Sequence, residues 1–74
     1  MQLQIQNKIK SVMLERGVSM YRMAADLNIH YPTMHSLVNR ETLNDTTLIS
    51  MVRVADYLGV PVTSLYEIKQ NKKN

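Results

Sequence analysis

Apolar residues recur at three- and four-residue intervals along most of the chain, the period of a helix with one face turned inward. Met20, Met23, Ala24 and Leu27 form one such stripe, and Met34, Leu37 and Val38 form the next. So few residues separate the two that the spacing predicts a pair of short helices, the second forced across the first by a tight joint. Upstream, Ile5, Ile9, Val12 and Met13 share a face that excludes Lys8, Lys10 and Glu15, which predicts a first helix over about residues 3–15. Downstream, Leu48, Met51, Ala55 and Leu58 make an inner row flanked by Val52 and Val54. This fourth helix is apolar over a wide arc and is expected to meet two surfaces. Pro61 opens a short fifth helix carrying Val62, Leu65 and Tyr66. No strand is predicted.

The residues between the stripes have the chemistry of helix ends. Gly17 supplies the left-handed conformation that closes a helix, with Arg16 near the negative end of its dipole. Ser19 is placed to cap the second helix, although Arg22 stands where a reciprocal capping box has Glu or Gln. Asn28 is the turn residue after Leu27, because Asn tolerates positive φ, and Ile29 plugs the joint. Pro32 fits the first turn of the third helix, with Tyr31 or His30 as its cap. Residues 39–45 read as a polar loop in which Asn44, Asp45 or Thr46 caps the fourth helix, and Gly59 ends that helix.

Seventy-four residues suit one small domain, assigned to 1–68, with 69–74 as a polar basic tail. Nine Lys and Arg against six Asp and Glu give a net charge of +3, which favours polyanions without separating that role from ordinary solvation. With no cysteine, a disulfide framework, a thiolate metal site and a Cys nucleophile are excluded. The first residues alternate polar and apolar, unlike a signal-peptide core, and no apolar run approaches bilayer length, so a soluble cytoplasmic protein without membrane contact is expected. His30 and His35 lack further clustered ligands, and the scattered Ser, His and Asp residues lack the spacing of a nucleophile with its base. No enzyme activity, metal or cofactor is expected, and the six methionines read as adaptable core filling.

The run ERGVSMYRMAADLNIHYPTMHSLVNR, followed by VADYLGVPVTSLYEI, resembles the helix-turn-helix domains of the XRE/Cro family, which includes phage repressors and Cro-type regulators. That resemblance implies an all-α, compact five-helix bundle of the lambda-repressor-like type, with the helix-turn-helix formed by helices 2 and 3. It also implies a sequence-specific double-stranded DNA-binding transcriptional regulator, in this reading a repressor that inserts helix 3 into the major groove of an operator. Ala24 takes the family's small position between the two helices, and Asn28 and Ile29 take the turn positions usually held by Gly and Val. Carried over by position, base contacts fall on Tyr31, Pro32, His35 and Ser36, with Thr33 beside them. Phosphate contacts fall on Ser19, Met20 and Tyr21 at the start of helix 2, and on Asn39 and Arg40 after helix 3. Two features depart from the pattern. Met13 and Val38 stand where many relatives pair Arg with Glu, and residues 30–38 contain neither Lys nor Arg.

The side chains themselves define what such a face reads. Ser36 donates or accepts, Thr33 offers a methyl group to thymine, and Tyr31 and His35 bring a ring with a polar tip. None makes the bidentate guanine contact of Arg, so base discrimination is expected to be modest and helped by DNA shape. Arg22 joins Asn39 and Arg40 as a phosphate-positioning candidate, supported by backbone N–H groups at the start of helix 2. Because one helix in one groove binds weakly, a homodimer is expected. Its interface is assigned to Tyr57, Val60, Val62, Tyr66 and Ile68, of which Val62, Tyr66 and Ile68 alternatively only close the core beneath the first helix. The competing reading keeps the fold but gives its faces to protein–protein interaction, as an antirepressor or an antitoxin-like partner.

Overall fold

The computed structural model describes residues 2–71. In chain order they form strand β1 (Gln2–Asn7), helices α1 (Ile9–Arg16), α2 (Met20–Leu27), α3 (Tyr31–Asn39) and α4 (Leu48–Leu58), a 3-10 turn (Val62–Leu65) and strand β2 (Tyr66–Asn71). The expected all-α five-helix bundle is therefore corrected. Among the described residues there are four α-helices and one two-stranded antiparallel sheet, which joins the two ends of the chain.

The N-terminal expectation failed because two periods overlap. Ile5 keeps helical spacing with Ile9, but Leu3 and Ile5 also alternate with Gln2, Gln4 and Gln6, the period-two pattern of a strand. The second period wins because a partner of matching pattern exists. Ile5 lies opposite Ile68, and Gln6 opposite Glu67. Leu3, Ile5, Tyr66 and Ile68 consequently share one face of the sheet, while Gln4, Gln6, Glu67 and Lys69 share the other. The expected fifth helix shrinks to the 3-10 turn, closed by the Ser64 amide on the Pro61 carbonyl at 2.9 Å, after which Tyr66 turns extended at φ −150°. The boundary drawn at residue 69 falls inside β2, which carries Lys69, Gln70 and Asn71. Residues 72–74 of the assigned tail lie outside the described residues.

Met23, Ala24, Met34, Leu37 and Val38 are buried from the helical pair, joined by Ile9, Val12 and Met13 from α1. Met13 and Val38, standing where relatives pair charges, both lie in this core. From α4 come Met51, Val54, Ala55 and Leu58, a regular inward stripe. Leu48, expected in that row, is 72% exposed, because it is the first residue of α4 and lies out over a groove beside the sheet. Leu43, inside the expected polar loop, is buried instead and pins the loop to the sheet through its amide on the Ile5 carbonyl at 2.7 Å.

Helix ends follow the sequence closely. Gly17, Asn28 and Gly59 adopt positive φ of 66°, 56° and 71°. Ser19 caps α2 by accepting from the Arg22 amide at 3.1 Å. The cap of α4 is Thr47, one residue beyond the expected candidates. Among the described residues, no helix is long and apolar enough to cross a membrane.

Candidate nucleic-acid interface

The joint between α2 and α3 is short because each of its residues does one job. Asn28 reverses the chain in the left-handed region, and its amide donates to the Ala25 carbonyl. The Ile29 amide then bonds the Ala24 carbonyl at 2.9 Å, while Ala24 itself is 3% exposed and lets the helices approach. From α4, Arg53 reaches across to donate to the Leu27 carbonyl at 2.7 Å, fixing the C-terminal end of α2.

With Met34, Leu37 and Val38 turned inward, α3 presents Tyr31, Pro32, Thr33, His35 and Ser36 as exposed side chains on one continuous face. Tyr31 is 44% exposed. The rings of Tyr21, Tyr31 and His35 follow one another at centroid spacings of 6.2 Å, with interplanar angles of 51° and 49°. A residue assigned to phosphate and two assigned to bases thus form one aromatic row bridging α2 and α3.

The other assigned phosphate contacts divide. Ser19 spends its hydroxyl on the helix cap at the Arg22 amide, and Met20 is half-buried against the core, leaving the Met20 and Tyr21 amides and the Tyr21 hydroxyl as the polar groups there. Arg22 is exposed, with Nε 3.6 Å from Asp26 Oδ2. Arg40 is half-buried and already engaged: Nη1 donates to Thr46 Oγ1 at 2.9 Å, Nη2 to Ser36 Oγ at 3.2 Å and Nε to the Ser36 carbonyl at 3.2 Å. Its side chain therefore orients the Ser36 hydroxyl. Asn39 donates back to the His35 carbonyl at 3.0 Å and accepts from Lys10 Nζ at 3.4 Å, which brings a cation from α1 to the end of α3.

Asn7 was not singled out from the sequence, yet it sets the position of α3. Its amide nitrogen donates to the carbonyls of Leu37 (2.8 Å), Val38 (3.3 Å) and Arg40 (2.9 Å), groups at or just past a helix end that otherwise lack partners. Its Oδ1 accepts from the Ile9 amide at 2.9 Å, so one side chain ties β1, the start of α1 and the end of α3. The sequence signal was slight: an Asn just before a helix reads as a cap, which is half of what it does.

The residues assigned to a dimer interface also divide. Val62, Tyr66 and Ile68 border an apolar groove of about 230 Å³ with Ile5, Leu43, Leu48 and Met51. Val60 packs against the core. Tyr57 borders a separate hollow with Gly17, Val18, Ser19 and Arg22, and its hydroxyl donates to Asp26 Oδ2 at 2.5 Å. That hydrogen bond holds the Tyr57 phenol above its ordinary value, with desolvation and the Asp26 charge adding to it.

A family model described as a Cro/C1-type HTH DNA-binding domain matches residues 8–71. The fold is similar to that in the crystal structure of the transcriptional regulator VanUg, with a TM-score of 0.71 and 14% identity over 96% of this chain and 92% of that one. No curated protein matches the sequence significantly.

Proposed function

The chain belongs to the family of Cro/C1-type HTH DNA-binding domains, and from that premise we propose that it is a transcriptional repressor that occupies an operator as a homodimer, each copy laying α3 in the major groove. The observation that carries this reading is the division of α3 into a buried row and an exposed face of Tyr31, Pro32, Thr33, His35 and Ser36. Side chains that make no contribution to the core are available to base edges. Phosphates are met by Arg22, by the first-turn amides of α2 and by the Lys10–Asn39 pair at the other end of α3. Arg40 acts through Ser36 as well as by its charge.

Selection from a random duplex pool at two salt concentrations tests the reading. The wild-type chain is expected to enrich a two-fold symmetric site, and the double change His35→Ala with Ser36→Ala to shift the enriched bases. Arg22→Ala is expected to weaken all duplexes alike and to reduce the log–log salt slope by about 0.9, the loss of one phosphate contact. If no site is enriched at low salt, the aromatic face of α3, which has no cation between residues 30 and 38, belongs to a protein ligand instead.

A further inference from the structure

A series of hydrogen bonds runs from the sheet to the exposed face of α3. Leu43 is buried, and its amide donates to the Ile5 carbonyl at 2.7 Å. The Leu43 carbonyl in turn accepts from the Thr46 amide at 3.0 Å, which gives half-buried Thr46 a fixed place near the end of α3. Thr46 Oγ1 accepts from Arg40 Nη1 at 2.9 Å, and Arg40 Nη2 donates to Ser36 Oγ at 3.2 Å. The backbone of Arg40 is held too: its carbonyl accepts from Asn7 Nδ2 at 2.9 Å and its amide donates to the Ser36 carbonyl at 3.1 Å. A side chain fixed at both ends keeps its planar fork in one orientation.

The last bond of the series has a fixed direction. A guanidinium carries no acceptor, so Ser36 Oγ accepts from it and the hydroxyl proton must point elsewhere. Serine within a helix often returns that proton to the carbonyl four residues back. Ser36 does not, and among the described residues its hydroxyl donates to no other group. The positive charge behind the oxygen polarises the O–H bond and opposes the approach of a second donor. Ser36 is exposed, so the polarised proton is offered to whatever meets α3.

Resting on the operator reading for the presence of base edges at α3, we infer that Ser36 reads its base as a hydrogen-bond donor only. Thr46 is the positioning residue that holds it in this role through Arg40. In the major groove guanine presents N7 and O6 and thymine presents O4, all acceptors. Cytosine presents its N4 amino group, and adenine sets its N6 amino group beside N7. A hydroxyl that only donates therefore selects the keto bases, guanine and thymine, over the amino bases, cytosine and adenine. It adds discrimination to a segment, residues 30–38, that has neither Lys nor Arg.

Selection from a random duplex pool, run on the full chain and on single variants, tests this. Ser36→Ala is expected to flatten one base position, where the wild-type chain favours guanine or thymine about tenfold over cytosine. Thr46→Val removes the acceptor for Arg40 while keeping side-chain shape and net charge. It is expected to bring the same position to within about twofold, with the other positions and the salt slope unchanged. Thr46→Ser keeps the hydroxyl and is expected to keep the preference. Circular dichroism melts check that each variant folds. Independently of the variants, the Arg40 Nε proton of the wild-type chain is expected to exchange slowly with water. Exchange as fast as that of exposed Arg16 overturns the anchoring. Cytosine or adenine enriched at the position that Ser36→Ala flattens overturns the donor assignment, as does a site indifferent to Ser36→Ala. Thr46→Val that changes nothing, or weakens every position alike, overturns the positioning role. A wild-type chain that enriches no site at all defeats the operator reading as well, an outcome distinct from a site enriched with the wrong base.

Discussion

At the scale of the single residue, Asn7 illustrates how much one polar side chain settles. It gives α3 a fixed end by satisfying carbonyls of Leu37, Val38 and Arg40, and it starts α1 by accepting from Ile9. Removing a partner from part-buried groups of this kind costs more than the bond itself contributes, because the carbonyls lose their donor without regaining full hydration. Asn7→Ala is expected to lower unfolding free energy by about 1–3 kcal/mol in urea denaturation. A loss of only a few tenths would mean that water replaces the side chain. Residues of this sort are illegible in sequence because their partners lie some thirty positions away. Residues whose role is local were legible: Gly17, Asn28 and Gly59 take positive φ where the end of a stripe demanded it, and Ser19 caps where its hydroxyl meets an unpaired amide.

At the scale of the element, the helices were legible and the strands were not. A helix writes its inward face with its own period, which is why the burial of Met23, Ala24, Met34, Leu37 and Val38 is legible in the sequence alone. A terminal strand depends on a partner at the other end of the chain, and six residues of alternation at each end compete with weak helical readings of the same letters. The alternation of Leu3 and Ile5 with glutamines was the available signal, and Ile68 between Glu67 and Lys69 was its complement. Contacts between elements carry a pH signature as well. Tyr57 of α4 donates to Asp26 of α2, and because that bond raises its pKa above 10.0, the folded chain holds the phenolic proton more tightly than the unfolded one. The contribution is fully present below the ordinary tyrosine value and is lost as pH climbs through the raised one. Melting temperature is therefore expected to fall more steeply above pH 10.0 in wild type than in Tyr57→Phe. Parallel curves for the two proteins contradict the clamp.

At the scale of the whole molecule, the exposed face of α3 and the outer edge of β2 are built from different parts of the chain. The aromatic and hydroxyl face belongs to α2 and α3, held by Asn7, Arg53 and the turn at Asn28. Tyr66 and Ile68 of β2 border the groove together with Leu48 and Val62. The face was legible because the resemblance and the helical period select the same side chains. The edge was not, since it exists only once the chain ends have paired. The central claim is that the exposed side of α3 is where duplex DNA sits. Nuclear magnetic resonance titration of the isotope-labelled chain with a selected duplex tests it most directly. The account predicts the largest shift changes at Tyr21, Tyr31, Thr33, His35 and Ser36. Changes centred on Leu48, Val62 and Ile68, with α3 unmoved, would contradict it.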